Sequence, residues 1–176
     1  MISIDEIDHR VRDAIQSAGR FADIQKFDTE GWTKRIKDHL GKLGKELGYT
    51  VCCSGSAPEC QDYGEWLWDL CWLRYEGAAP HETLADIPIA VECEWGTNFD
   101  RSILPDFQKL IVSRARLRVM IFQGEKFGGE LGAVFQKLID AVRAFSGTPD
   151  DRYLFACFYK TAHKADPWEV KFCSLP

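Results

Sequence analysis

Apolar residues recur along this chain with two different periods, and each change of period marks a new element. Ile4, Ile7, Val11, Ala14, Ile15 and Ala18 are spaced as one helical stripe, which opens on a Ser3/Glu6 capping box and stops at Gly19. A second helix is expected to start near Asp28 or Thr29, run through Trp32, Ile36, Leu40, Leu43 and Leu47, and stop at Gly48. The period then shortens. YTVCCSG, EWLWDLCWLRY and IAVECEWG read as strands. They are separated by SGSAPECQDYG, a loop, and EGAAPHETLADIP, a loop with room for one helical turn. PDFQKLIVSRA is a helix with proline in its first turn. LRVMIFQ is a continuous apolar run of the kind buried in a parallel sheet. GELGAVFQKLIDAVRAF returns to the helical period, and DRYLFACFYK and WEVKFCSL close the chain as strands. The predicted order is α-α-β-β-β-α-β-α-β-β. Three early strands followed by a βαβ unit imply an α/β fold: a mixed sheet flanked by helices on both faces.

Composition narrows the function classes. A chain of 176 residues with 45% apolar and 28% charged residues suits one soluble domain with a substantial core. No apolar run reaches a membrane span, and the first residues, MISIDEIDHRVRD, lack the apolar segment of a signal peptide; the expected location is the cytoplasm, with no membrane partner. Seven cysteines without a CxxC spacing read as small buried thiols. The net charge of -5 argues against non-specific coating of nucleic acid, but leaves open local basic surfaces. Two basic clusters, Lys34 to Lys45 and Arg114 to Arg118, have solvated faces as their plain reading. Four histidines, His9, His39, His81 and His163, lack ligand spacing, and the glycines of QGEKFGGELG lack the ending of a phosphate loop.

The informative stretch is IAVECEWG. Glu92 and Glu94 stand two apart on a strand and share one face, where two like charges repel. The preceding strand carries one acid among apolar residues, Asp69. Alternation places Leu67, Asp69, Cys71 and Leu73 on one face, and Trp66, Trp68, Leu70 and Trp72 on the other. If the two strands pair, three carboxylates converge, and a divalent cation is the usual compensation. Oxygen ligands alone suit Mg²⁺ or Mn²⁺. The next helix offers Asp106 and Lys109 at i and i+3, on the face of Ser113.

A strand aspartate, an E-x-E on the next strand, then a helix and another strand resemble the PD-(D/E)xK nuclease superfamily, with its restriction-endonuclease-like fold. Asp69 in LWDLCW, Glu92 and Glu94 in VECEWG, and Lys109 in DFQKLIVSRA carry the resemblance. It implies one domain over residues 1–176, with 1–27 a helical embellishment and 28–123 the shared core. It further implies metal-dependent hydrolysis of phosphodiester bonds in nucleic acid, DNA before RNA, and allows a homodimer. Asp69, Glu92 and the backbone carbonyl of Cys93 would hold the metal, with Glu30 the preferred helix acid to complete the site. Glu94 occupies the usual lysine position and would act as base, while Lys109 would supply the positive charge from the helix. Mutual repulsion in the empty site predicts that Asp69→Asn stabilises the metal-free protein.

The plainer readings are a hydrogen-bonded structural Asp69, glutamates facing solvent with Val91, Cys93 and Trp95 toward the core, and a surface Lys109. Trp66, Trp68 and Trp72 pack under a helix or form a base-stacking platform. The competing function is a restriction-like domain without catalysis, serving in binding or assembly; a cysteine-based enzyme is a third class without a Cys–His pairing to support it.

Overall fold

The two N-terminal stripes form α1 (Ile4–Gly19) and α2 (Thr29–Glu46) in the computed structural model of the chain, which describes residues 2–19, 29–78, 81–96, 98–124, 131–145, 152–160 and 168–175. The Ser3 hydroxyl caps α1 by accepting from the Glu6 N–H at 3.2 Å. The strands are β1 (Thr50–Cys53), β2 (Leu70–Glu76), β3 (Thr83–Glu94), β4 (Leu117–Gln123), β5 (Arg152–Lys160) and β6 (Trp168–Leu175). Between them lie α3 (Leu104–Ile111), which continues a π-helical turn over Phe99–Ile103, and α4 (Leu131–Ala144). The element order matches the one predicted. Asp28, at the expected start of the second helix, as well as Gly128, Gly129 and His163, lie outside the described residues.

Among the described residues the strands make one six-stranded mixed sheet in the order β1-β2-β3-β4-β5-β6. β3, β4 and β5 run parallel; β1–β2, β2–β3 and β5–β6 are antiparallel. The two parallel steps require crossovers, and α3 and α4 supply them on the same sheet face. Alternation then splits the core in two. Ile89, Val91, Val119, Ile121, Leu154 and Phe158 face α1 and α2, while Ala90, Met120, Phe122 and Phe155 face α3 and α4. No described helix is long and apolar enough to cross a membrane.

Two element boundaries differ from the sequence reading. β3 begins at Thr83, inside the stretch read as a loop. Its first three residues are exposed, and Asp86 and Pro88 follow them, so neither apolar alternation nor strand propensity announces it; it forms by pairing with residues 74–76. β2 begins only at Leu70, so the expected alternation over 66–69 fails. Trp68 packs with Cys71 and Leu73 on the α3 side, and Trp72 lies on the other, against α2. The three tryptophans therefore share no common face.

α2 approaches the sheet closely through glycines. A Cβ on Gly41 would run into the Cys60 carbonyl oxygen, and one on Gly44 into the indole of Trp72. The Trp72 Nε1–H donates to the Leu40 carbonyl at 3.2 Å across this contact. Gly41→Ala is expected to lower stability by roughly 1–3 kcal/mol by overpacking, against a helix-propensity gain of about 1 kcal/mol. Urea denaturation of the variant measures the net loss; a more stable variant would show that α2 can move away from the sheet.

Candidate active site

At the carboxyl end of β3 the sheet gathers acids from β3, the start of β2 and α3, and lysines from α2 and α3. This is the end of a parallel strand pair where open α/β sheets place ligands. The antiparallel ladder between β2 and β3 stops at Leu70 and Val91. Asp69 continues it with a side chain: its Oδ2 accepts the Cys93 N–H at 2.8 Å. Its Oδ1 lies 3.1 Å from the Lys37 ammonium, which reaches in from α2. Lys37 is only 5% exposed. The same ammonium donates to the Ser54 carbonyl at 3.3 Å and stands 3.7 Å from Glu65. Burial opposes the charge on Lys37, but the attraction and hydrogen bond of Asp69 outweigh it, and the pKa is raised.

Glu92 and Glu94 share a face, as their spacing requires, and the face is the α3 side of the sheet rather than open solvent. Glu92 is 3% exposed. Lys109 Nζ stands 3.0 Å from its Oε1 and 2.8 Å from Asp106 Oδ1, so one ammonium bridges β3 and its own helix turn. The contact with Glu92 is close but poorly directed, and Oε1, shielded from solvent, has no hydrogen-bond partner among the described residues. Burial, which Lys109 only partly offsets, pushes the Glu92 pKa up to about 8; the charges of Asp69 and Asp106 add to the rise. Lys109 is itself partly desolvated, but Asp106 and Glu92 more than compensate and raise its pKa.

Glu94 turns back on its own chain. Its Oε1 accepts the Gly96 N–H, and a Cβ on Gly96 would lie 2.7 Å from that oxygen, which glycine avoids. Burial raises the Glu94 pKa, the Gly96 N–H opposes this, and a hydrogen bond with Asp106 adds to the rise. Trp95, next in sequence, donates to Thr33 Oγ1 at 2.7 Å and ties this end of β3 to α2.

The structure thus brings Glu92, Glu94, Asp106 and Lys109 together on one side, and Asp69 with Lys37 toward α2. Asp69 and Glu92 influence each other electrostatically, yet each is held by its own lysine. No group of three or more metal-ligating side chains is assembled among the described residues. Cys93 projects to the α1/α2 side, and its thiol, with a pKa pushed well up by burial, is no ready nucleophile. Glu30 is exposed in the first turn of α2, where it is not brought together with the acids at the end of β3 among the described residues. Ser113 lies beyond the end of α3, where its carbonyl accepts from Arg118 at 2.6 Å, so it does not join Asp106 and Lys109. Arg118 is 4% exposed and tied to carbonyls, which corrects the reading of a solvated face at this position, while Arg114 is exposed as read.

Lys37 is the residue that sequence reasoning missed, because it was counted with a solvated basic run. A signal existed: Lys37 stands one turn before Gly41 on the face where glycines allow close packing. Gly96 and the contact of Asp106 with Glu94 were missed because they depend on a chain reversal after β3.

Two outcomes follow from these contacts. Asp69→Asn is expected to destabilise the protein by roughly 2–3 kcal/mol, less than a fully buried pair because the Asp69 side chain is 22% exposed. That reverses the sequence expectation, since the loss leaves Lys37 buried beside a neutral amide; chemical denaturation reads the sign. Glu92 titrates in the opposite sense to a paired surface acid. Its folded pKa lies above its ordinary 4.5, so its contribution is fully present below that pH and is lost as pH rises toward about 8. Glu92→Gln is therefore expected to raise Tm by several degrees at pH 8 and to leave it unchanged near pH 4.5. An equal effect at both pH values would mean that Glu92 is ionised throughout.

No family model, curated protein or solved structure matches this chain.

Proposed function

We propose that this chain is a metal-dependent nuclease, hydrolysing phosphodiester bonds of DNA, on a restriction-endonuclease-like variant of its mixed sheet. The observation that carries the reading is Glu92: a buried carboxylate at the carboxyl end of a parallel strand, met by the half-exposed Lys109 ammonium at 3.0 Å and ringed by further acids. Four carboxylates, Asp69, Glu92, Glu94 and Asp106, face two ammonium groups, Lys37 and Lys109. The oxygen-only donors fit Mg²⁺ or Mn²⁺. Mg²⁺ commonly takes one or two carboxylates and keeps waters or substrate phosphates, so a set without three preformed ligands still fits it. Asp69, Glu92 and the Cys93 carbonyl would hold the ion. When bound, such an ion makes a coordinated water more acidic and neutralises charge on the phosphate.

The residues divide the remaining work. Lys37 fixes the Asp69 carboxylate, which also closes the ladder to Cys93. Glu94 has its pKa raised above the usual carboxylate range and sits on the same face as Glu92, where it can take the proton of the attacking water. Lys109 is held by Asp106 and half exposed, so its ammonium can donate to a phosphate oxygen as charge develops. The net charge of -5 makes these local groups, rather than a general basic surface, the source of binding.

A binding or assembly module without catalysis is the second reading. It is favoured by the ion pairs that already satisfy Asp69 and Lys109 without a metal.

Plasmid and single-stranded DNA, incubated with Mg²⁺, Mn²⁺ or EDTA, separate the two. Cleavage is expected with either metal and not with EDTA, and saturating metal should raise Tm by binding linkage. Glu92→Ala should abolish cleavage and metal binding together. Lys109→Ala should keep metal binding and slow cleavage by roughly 10²–10³-fold, the loss typical of one preorganised donor. No cleavage of any nucleic acid, together with no heat of metal binding, would establish the module instead.

A further inference from the structure

α3 and α4 roof the sheet over its central strands, and toward β1 and β2 the same face carries a cavity of about 390 Å³. Cys52, Tyr63, Glu65, Trp66, Leu73 and Tyr75 line it. Its three rings are open to solvent: Tyr63 is 64% exposed, Trp66 48% and Tyr75 41%. So much clustered aromatic surface is a mark of a binding site rather than of a core.

The cavity is joined to the acid cluster by one short segment. The Trp66 ring meets Trp68 edge-on at 6.0 Å, and the Trp68 Nε1–H donates to the Lys109 carbonyl at 3.4 Å. Asp69 follows directly. Glu65 lies in the same segment, 3.7 Å from Lys37, with its Oε2 accepting from the Ser54 hydroxyl at 2.8 Å. Both contacts fall on Oε2, and the Glu65 side chain is half exposed. Among the described residues the lining contains no lysine or arginine, which disfavours a phosphate here. A flat, neutral ring bearing an amino group is the complementary shape: the aromatic rings stack on its face and Glu65 accepts from its amino group, as carboxylates do from cytosine.

Resting on the nuclease reading above, we infer that this cavity takes an unpaired nucleobase of the strand whose phosphodiester lies at Glu92 and Lys109. The substrate is accordingly single-stranded or locally unpaired DNA. In an intact duplex the base faces are stacked on their neighbours and have nothing to offer the rings.

Fluorescence anisotropy with labelled oligo-dC, oligo-dT and a duplex, without divalent metal, tests the cavity apart from chemistry. Oligo-dC should bind more tightly than oligo-dT, and either more tightly than the duplex. Trp66→Ala and Tyr75→Ala should each weaken single-strand binding by roughly 5- to 100-fold, and Trp66→Phe should restore most of it. Glu65→Gln should abolish the preference for oligo-dC. Equal binding of duplex and single strands, unaffected by Trp66→Ala, would overturn the inference, as would an absence of binding. Self-association in sedimentation that Trp66→Ala abolishes would also overturn it, by giving the patch to a second copy of the chain. The two readings fail separately. Metal-dependent cleavage undiminished in Trp66→Ala leaves the nuclease and removes the cavity. Single-strand binding through Trp66 without any cleavage leaves the cavity and removes the nuclease.

Discussion

Asp69 holds two layers of this protein at one point. One carboxylate oxygen takes the Cys93 N–H where the next ladder bond between β2 and β3 would have formed, and the other neutralises Lys37 from α2. An ammonium as buried as that of Lys37 is stable only beside such a partner. The start of β2, the depth of α2 against the sheet and the placement of a charged group near β3 all follow from this pair. The glycines of α2 make it reachable, because without side chains at Gly41 and Gly44 the helix can lie close against Cys60 and Trp72.

The other side of β3 is organised by a second lysine with a different balance. Lys109 is half exposed and shared between Asp106 and Glu92, so its partners are not fully compensated. The desolvation of Glu92 is what remains, and it makes the carboxylate hold its proton to a pH at which surface acids have long ionised. Sites that bind cations or move protons accept this kind of cost, and it is the physical basis for reading this end of the sheet as functional. The two lysines therefore play unequal parts: Lys37 is locked into structure, and Lys109 is free enough on its outer side to meet a ligand.

The aromatic cavity extends the same face of the sheet beyond α3. Trp68 links cavity and acids through the Trp66 ring and the Lys109 carbonyl, and packs with Cys71 and Leu73 rather than with Trp72 as simple alternation would have it. The segment before β2 departs from strand geometry for the same reason that Asp69 bonds Cys93: side chains, not backbone, make the last contacts there.

The sequence by itself determined the element order, the mixed character of the sheet and the common face of Glu92 and Glu94. These follow from periodicity, which is local: 3.6 residues per helical turn and two per strand repeat. The pairing of Asp106 with Lys109 was legible for the same reason, as an i, i+3 contact. Tertiary structure alone decided the rest. The first three residues of β3 are exposed, and the strand extends over them because residues 74–76 offer a ladder. Lys37 meets Asp69 across 31 intervening positions in a contact that no local pattern encodes, made between a helix and the residue that precedes a strand. Burial of Glu92 depends on how α3 lies over β3, and burial, not spacing, sets whether a carboxylate is charged.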